Sequence, residues 1–431
     1  MEKRLSKVVN IPKVNAASRA VKRAIGFIDR QKHNYRVAIT RSSANNFLIN
    51  LTAQYDSIYT VGLGAGSVEL GTINSVGNGI SALISTPIGW LMDRWGLKRL
   101  YLLGMVLMAG SALVYSLAIG WQAIIAAMVL FSISTRFIGT GCSVICADSV
   151  QNEDRVTAQN ICVTVASLFA MLAPLAAAQL VTRFGGLNVE GIRSLYTIRF
   201  VGYILVFLFL VTQLRELTTT PGMETSVRLG FLDDFKQLLE GENPLKRWLI
   251  IASLTGFPIA MTTPFLQLFA HQAKGANQYL LGAMTTATIF TRIIFGIPLG
   301  RLADKIGRKR VIYLLTPLWY VSYLLLVFSS NSFTLIMAGA LQTFYFISSG
   351  VTTAMTLELV PVEQMGKWSG LVGLSQGLVA IPAPILGGLI WDHLNPMYVF
   401  LIPIGVDFML KLPLLATIPE TLSDATEAKV D

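Results

Sequence analysis

The chain has 431 residues, of which 53% are hydrophobic and 13% are charged, and its formal net charge is +10. Soluble domains carry about 25% charged residues, and a chain this apolar would expose large adhesive patches in water. The composition therefore excludes an ordinary soluble protein and predicts an all-α membrane protein.

The first 37 residues are predicted to form a basic cytoplasmic tail. Residues 1–38 hold ten Lys or Arg against Glu2 and Asp29, which is +8 of the total charge of +10. The high charge thus belongs to one segment and indicates no nucleic-acid partner. Apolar residues recur there at three- and four-residue steps, which predicts an amphipathic helix on anionic lipid. An organellar transit peptide has a similar composition and is the alternative, whereas the apolar core of a secretory signal is missing.

Twelve apolar segments of spanning length follow, and we number them spans 1 to 12. They are 38–60, 70–92, 100–119, 121–146, 158–181, 196–214, 247–269, 279–299, 311–329, 333–356, 369–391 and 397–416. Span 1 is too polar for a helix surrounded by lipid, so its polar face is expected to look into protein or a water-filled cavity.

A polar segment at residues 215–246 separates the first six spans from the last six. It contains Pro221-Gly222 and the acidic pair Asp233-Asp234. We therefore predict a six-helix bundle at 38–214, a cytoplasmic linker at 215–246, a second bundle at 247–416 and a cytoplasmic tail at 417–431.

The distribution of Lys and Arg predicts the orientation. The loops after spans 2 and 8 are strongly basic and lie, by parity, on the same side as the tail and the linker. The other side offers little beyond Arg183, Arg193 and Lys274. Because positive charge marks the cytoplasm, both termini are expected inside, in a multi-pass protein of the plasma membrane.

The loops after spans 2 and 8 repeat one pattern, GWLMDRWGLKR at 89–99 and GRLADKIGRKR at 300–310, at a spacing of 211 residues. The first glycine of each copy, Gly89 or Gly300, permits close helix packing, and the second, Gly96 or Gly307, permits a tight turn.

The acidic residues that end spans 4 and 10 repeat as well. Asp148 and Glu358 lie 210 residues apart, nearly the same offset as the two loops. Two independent markers at one offset indicate internal duplication of a six-span unit.

These residues resemble the major facilitator superfamily, whose motif between helices 2 and 3 is G-x-L-x-D-R-x-G-R-K/R, often echoed between helices 8 and 9. The likeness covers residues 38–421 and implies two pseudo-symmetric six-helix bundles that rock to move a small molecule. It also implies that the motif pairs with the acid ending helix 4 or 10 and latches the outward-open state. The gating residues carried over are Gly89, Asp93, Arg94, Gly96, Lys98, Arg99, Asp148, Gly300, Asp304, Gly307, Arg308, Lys309 and Glu358.

The first copy departs from that pattern at Leu97, where an arginine is expected. Arg94 or Lys98 must replace it, so the first latch is expected to be the weaker. The competing interpretation is that both loops carry only the positive charge that sets topology.

Polar and ionisable residues at membrane depth are functional candidates, because each is costly there without a partner. The predicted substrate and proton cavity comprises Asn46, Asn50, Gln54, Asp56, Arg136, Gln267, Arg292, Gln342 and Tyr345. Spans 1, 4, 7 and 10 line the cavity in the family that the chain resembles, and that family often has an arginine near Arg292 with a gating role.

Two of these positions have alternatives, and a further pair of ionisable residues has a structural interpretation. Arg136 has either a coupling role or a structural carboxylate partner. Asp56 is either the group that takes up a coupled proton or a solvated acid at the outer rim. Asp407 and Lys411, at i,i+4 in span 12, are expected to form a structural pair instead.

No phosphate-binding loop, nucleophile–base pair or metal-ligand cluster appears, so neither an enzyme nor a cofactor or metal is expected. Cys142 and Cys146 are expected to be packing thiols. The leading hypothesis is a monomeric, proton-coupled secondary transporter that exports a small organic or amphiphilic solute. The alternatives are proton-coupled uptake of a sugar or organic acid, and a receptor or scaffold with a transporter fold.

Overall fold

A computed structural model describes residues 26–28, 30–85, 91, 94–150, 154–215, 243–360 and 365–420. Every regular element among these residues is helical. Most of the predicted basic tail, the linker and the last eleven residues lie outside them.

The helices of the first half correspond to the six predicted spans. Span 1 is His33–Thr52 with Asp56–Gly62, span 2 is Ser67–Ser85, span 3 is Leu97–Leu117, span 4 is Trp121–Ser149, span 5 is Arg155–Arg183 and span 6 is Val189–Gln213.

The second half repeats the pattern. Span 7 is Asn243–Gln272, span 8 is Gln278–Ile306, span 9 is Arg308–Phe328, span 10 is Ser332–Glu358, span 11 is Met365–Ala380 with Pro382–His393, and span 12 is Tyr398–Val406 with Leu412–Ala416 around a π-helical turn, Asp407–Lys411. Ten described helical segments are long and apolar enough to cross a membrane, and they correspond to spans 3 to 12. Polarity and the break at residues 53–55 keep span 1 out of that set.

Asparagine residues set the start of three helices. Asn188, Asn277 and Asn331 precede spans 6, 8 and 10, and each Oδ1 accepts the backbone N–H three residues later at 2.8–2.9 Å. Such N-caps satisfy a backbone donor that would otherwise lack a partner. The cap at Asn188 explains why span 6 begins seven residues before its predicted start at 196.

Each packing contact in the first six spans recurs six spans later. Span 3 packs on spans 4 and 6, span 2 on span 4, and span 1 on spans 5 and 6; their counterparts are 9 on 10 and 12, 8 on 10, and 7 on 11 and 12. Spans 2 and 11, and spans 5 and 8, join the two bundles. The predicted fold of two pseudo-symmetric helical bundles is confirmed.

The two ends of the bundles differ in how their cores are arranged. We call the end that carries Gly96 and Gly307 the motif side, and the end that carries Gly64, Gly185 and Gly275 the opposite side. On the opposite side, one buried cluster contains residues of both bundles, from Tyr55 and Tyr196 to Phe265 and Phe400.

The core is divided on the motif side. One buried cluster there belongs to the first bundle, around Tyr101 and Met105, and a separate one belongs to the second bundle, around Trp248 and Trp368. Among the described residues, the bundles therefore share a core on the opposite side only.

Candidate functional site

Small residues bring the two bundles together on the opposite side. A Cβ atom at Gly71 of span 2 would lie 2.3 Å from the carbonyl oxygen of Pro384 in span 11, and one at Gly388 would lie 2.4 Å from that of Ser67. A Cβ at Gly282 of span 8 would likewise meet the backbone of span 5 at 2.8 Å. Backbone at such distances excludes any side chain, so the seam between the bundles depends on these glycines.

Hydrogen bonds also cross this seam. The Tyr55 hydroxyl donates to the Gln278 carbonyl at 3.3 Å, and the Gln278 Nε2 donates to Thr182 Oγ1 at 2.9 Å. Nearer the middle of the membrane, Thr286 Oγ1 donates to the Met171 carbonyl at 3.3 Å. The opposite side is therefore closed by backbone contact and neutral hydrogen bonds.

The motif-side halves of spans 8 and 11 lack such close contacts within the described part of the chain. Among the described residues, nothing lies within 4 Å of a Cβ placed at Gly296, Gly300, Gly370 or Gly373. No described residue makes the close helix contact expected at Gly300, so that contact stays a prediction.

Arg308 is the centre of the second motif copy. Its Nη1 donates to Asp304 one turn earlier, and its Nη2 lies 2.9 Å from Oε1 of Glu358 at the end of span 10. Burial opposes the charge of the guanidinium, but the bonds to Glu358 and Asp304 outweigh it and raise the pKa of Arg308. The pairing that the resemblance implied is thus present. It exists while the motif side is open, so it does not by itself mark an outward-open state.

The end of span 12 completes this cluster. Oε1 of Glu420 accepts the backbone N–H of Arg308 at 2.8 Å, and Oε2 accepts that of Lys309 at 3.1 Å. Lys309 Nζ in turn donates to the carbonyls of Ala416 and Ile418 at 2.9 and 2.7 Å. A carboxylate at a helix N-terminus is favourable, since the first N–H groups of the helix have no partner within it.

Gly307 makes this arrangement possible. Its φ of +105° is in the left-handed region, and a Cβ there would meet the Glu420 carboxylate at 2.5 Å. The tight turn predicted for Gly307 is present, and Gly96 has the matching φ of +82° in the first copy.

The rest of the first copy is only partly described. Arg94 and Arg99 are exposed and Lys98 is half-buried. Gly89, Asp93 and the side chain of Asp148 lie outside the described residues. The weaker first latch stays a prediction.

Two exposed arginines lie at membrane depth. Arg136 near the middle of span 4 and Arg292 near the middle of span 8 are both exposed. The guanidinium of Arg292 lies 5.7 Å from the centre of the Phe346 ring in span 10. Because lipid would make an exposed guanidinium costly, both side chains are expected to face water between the bundles.

Three other predicted cavity residues have half-buried side chains. The Nδ2 groups of Asn46 and Asn50 each donate a hydrogen bond to the backbone carbonyl four residues earlier, at 2.9 and 2.8 Å. The third residue, Gln342, lies on span 10. These residues leave the polar stripe of span 1 accessible in part.

Of the remaining predicted cavity residues, Gln54 and Tyr345 are buried in this structure, and Gln267 is half-buried. Gln54 is buried and its Nε2 donates to the Pro174 carbonyl at 2.9 Å. Tyr345 is buried and donates to a backbone carbonyl of span 7, while Gln267 Nε2 lies 3.2 Å from a threonine hydroxyl of span 8. Packing on the opposite side thus replaces solvent around Gln54 and Tyr345, while the cavity role of Gln267 stays a prediction.

Asp56 is half-buried and has a defined partner. The Tyr196 hydroxyl of span 6 donates to its Oδ1 at 2.5 Å. Tyr196 escaped the sequence analysis because a tyrosine in an apolar stretch carries no distinct signal. Arg199, one turn further along span 6 and 4% exposed, did carry one: it is an ionisable residue within a predicted span.

A separate cavity of about 670 Å³ opens on the opposite side, between the loops after spans 7 and 9. Lys274, Asn277, Tyr279 and Asn331 are among its lining residues. Its lining includes none of the predicted site residues, and so neither Arg136 nor Arg292.

Comparison with known families gives a match along most of the chain. The model described as Major Facilitator Superfamily matches residues 37–290 and again residues 248–428. The two matched segments overlap at residues 248–290 and together cover residues 37–428.

Curated relatives match over shorter segments. Tetracycline resistance protein, class B, of Escherichia coli is 29% identical over 144 residues, which is 32% of this chain and 35% of that protein. Multidrug resistance protein 3 of Bacillus subtilis is 31% identical over 130 residues, 28% of this chain and 25% of that protein. The chain thus matches only about a third, or less, of the length of these relatives.

Solved structures match nearly end to end. The nucleoside transporter NupG has a TM-score of 0.72 at 14% identity, covering 89% of this chain and 99% of that one. The D-xylose-proton symporter has a TM-score of 0.68 at 13% identity, covering 90% and 98%. At these identities the likeness shows the fold alone.

Proposed function

The chain belongs to the major facilitator superfamily, and from that premise we propose that it is a proton-coupled secondary transporter working by alternating access. Its proposed solute is a small organic or amphiphilic compound, and its proposed direction is export. The observation that carries this proposal is the core shared by both bundles on the opposite side and divided on the motif side.

A divided core is what alternating access requires. On the motif side each bundle has its own apolar core, so separation of the two bundles there exposes neither core to water. The contacts that must exchange are those of the glycine seam at Gly71, Gly282 and Gly388. A channel or a fixed receptor has no need of such a seam.

The motif side is the cytoplasmic side in this proposal. Its loops carry the basic residues at 94–99 and 305–310, and positive charge marks the cytoplasm. Both termini then lie inside, the membrane is the plasma membrane, and the structure corresponds to an inward-open state.

Asp56 and Arg136 are the proposed coupling residues. Asp56 is a half-buried carboxylate held by one tyrosine hydroxyl, and Arg136 is a cation exposed at membrane depth. A carboxylate that gains and loses a proton as its surroundings change is the simplest coupling device that the described residues offer.

Export is favoured by the printed names of two relatives, which refer to tetracycline and multidrug resistance. The half-buried ring of Phe346 lies 5.7 Å from the Arg292 guanidinium, and an aromatic ring at membrane depth can also pack against a solute with an apolar body.

Reconstitution tests this proposal. Purified protein is screened by thermal shift against metabolites and drugs, because a bound ligand stabilises the folded state. Each hit is then used for counterflow and for flux under an imposed pH gradient in liposomes. We expect proton-driven flux in the wild type and in Asp392→Asn, a solvent-exposed control, and loss of it in Asp56→Asn and Arg136→Ala.

Each result has a defined meaning. Unaltered proton-driven flux in both variants overturns the coupling assignment, and the absence of counterflow for every hit overturns transport. If the solute instead moves together with protons towards the side of the vesicle membrane that corresponds to the cytoplasm, the result overturns export in favour of uptake.

A further inference from the structure

Among the described residues, no carboxylate is in direct contact with a buried cation in span 6. Arg199 is 4% exposed, and its Nη1 donates to Thr52 Oγ1 at 2.7 Å while its Nε lies 3.4 Å from the Tyr203 hydroxyl. The guanidinium also lies 5.6 and 5.5 Å from the ring centres of Phe131 and Tyr203. All of these partners are neutral, and a buried charge needs a counter-charge.

The carboxylate nearest along this network is Asp56. Thr52, which binds Arg199, lies four residues before Asp56, across the break at residues 53–55, and Tyr196, which binds Asp56, lies three residues before Arg199 on span 6. The four residues therefore form two parallel rungs between spans 1 and 6.

The surroundings of Asp56 supply no second acid. Tyr196 stacks on Tyr115 with 4.5 Å between ring centres, and Tyr59 lies 5.0 Å from Tyr196. Arg193 lies near the start of span 6, and its Nε donates to the Tyr59 hydroxyl at 3.4 Å. Among the described residues around Asp56, the ionisable groups are thus these tyrosines and two arginines.

The second bundle holds a related cluster with a different connection. Asp407 lies 211 residues after Tyr196, at the internal repeat distance, and Lys411 occupies the following turn as Arg199 does. Lys411 Nζ lies 2.8 Å from Oδ1 of Asp407, and the Tyr320 hydroxyl donates to Oδ2 at 2.7 Å.

The two clusters differ in what helix motion does to them. In span 12 the acid and the cation lie on one helix and touch, so movement between helices leaves the pair intact. In the first bundle the acid lies on span 1 and the cation on span 6, and only neutral groups connect them. A shift of span 1 against span 6 therefore changes the balance between Asp56 and Arg199.

We propose that Tyr196 and Arg199 are positioning residues which make Asp56 a proton-responsive group: Tyr196 fixes the carboxylate, and Arg199 supplies its counter-charge. This rests on the proposed function, in which Asp56 takes up the coupled proton. In the step, hydronium transfers one proton to the carboxylate of Asp56 and leaves water. Arg199 keeps its own proton and loses its counter-charge, which favours a new placement of span 1 against span 6.

Infrared titration of the purified protein in lipid vesicles tests this without any solute. The carbonyl band of a protonated carboxylic acid is followed with pH, and the part lost in Asp56→Asn is assigned to Asp56. In Arg199→Gln we expect this band to appear about one pH unit or more higher than in the wild type, because a nearby positive charge is lost. Tyr196→Phe is expected to shift it in the same direction by less, and Arg199→Lys to leave it near the wild-type value.

Tyr320→Phe is the matched control, because it removes the equivalent hydroxyl from the cluster of the second bundle. It should leave the band of Asp56 at the wild-type pH. If Arg199→Gln does not fold, Tyr196→Phe carries the test, since it keeps the ring stack. Wild-type titration in Tyr196→Phe and Arg199→Gln, or an equal shift in Tyr320→Phe, overturns the inference. Failure of transport with the predicted titration would instead overturn the proposed function alone.

Discussion

Arg308 at the start of span 9 holds Glu358 at the end of span 10, with Nη2 and Nε at 2.9 and 3.2 Å from the same carboxylate oxygen. The same guanidinium binds Asp304, and the backbone N–H of Arg308 donates to Glu420. One residue thus connects the ends of spans 8, 10 and 12 on the motif side.

The contribution of Arg308 to stability should not depend on pH near neutrality. Its pKa is raised in the folded protein, because the bonds to Glu358 and Asp304 outweigh the effect of burial. A raised pKa gives stability that is complete below the unfolded-state value and is lost only as the pH rises through the folded-state value. Arginine deprotonates only in strong alkali, so the difference in unfolding temperature between wild type and Arg308→Gln should stay constant from about pH 6 to pH 9. A difference that shrinks steadily across that range would contradict this.

Gly71→Ala should shift the protein away from the conformation described above. The new methyl group would lie 2.3 Å from the Pro384 carbonyl oxygen, so the seam on the opposite side cannot close as it does here. Overpacking of this kind costs about 1–3 kcal/mol, enough to change the populations of two states. Labelling of a cysteine placed at Ala178, which is fully buried on span 5 beside Gly282, should become faster. Gly296→Ala is the control, because nothing described lies within 4 Å of its Cβ position, and equal labelling in both variants would count against the seam.

Glu420→Gln should lower stability by about 1 kcal/mol. The substitution removes a negative charge that accepts two backbone N–H groups at the first turn of span 9. Thermal unfolding in detergent measures the loss. Asp392→Asn is the control, since Asp392 is an exposed acid near the end of a helix, where its charge brings no such gain. Equal changes in both variants would show that Glu420 is not a cap.

Lys411→Met should be strongly destabilising, by about 3–5 kcal/mol, because it leaves the Asp407 carboxylate buried without its cation. Asp407 and Lys411 are 1% and 2% exposed. The double variant Asp407→Leu with Lys411→Met should recover much of this loss, since no charge is then buried. Thermal unfolding of the two variants decides, and a double variant less stable than Lys411→Met alone would refute the account.

Arg136→Gln should leave stability within about 0.5 kcal/mol of the wild type, because exposed side chains without a packing role contribute little. Arg136 is exposed in span 4. Flux under a pH gradient should nevertheless be lost. If the unfolding temperature instead drops by many degrees while flux persists, Arg136 is a structural residue.

The sequence alone predicted the architecture because the signals for it are local or periodic. Apolar length indicated the spans, and the offset of 211 residues between the two loops indicated two bundles. The pairing of Arg308 with Glu358 followed from a resemblance that names both positions.

The conformation and the placement of individual side chains were not predictable in this way. Gln54 and Tyr345 are polar residues on cavity-lining spans, but packing on the closed side buries them. Gly300 is a residue of the type that allows close helix contact, but nothing described lies within 4 Å of a Cβ placed there. Asp56 and Tyr196 lie 140 residues apart, so no local pattern joins them.

The seam on the opposite side has one more property. Within the described part of the chain, no ion pair joins the two bundles. The seam is held by backbone contact at Gly71 and Gly282 and by neutral hydrogen bonds from Tyr55 and Thr286. Dissolved salt screens exposed charges and leaves such contacts almost untouched. Ionic strength should therefore act on this protein at its basic, motif-side loops, and closure of the other face should proceed alike in dilute and in concentrated salt.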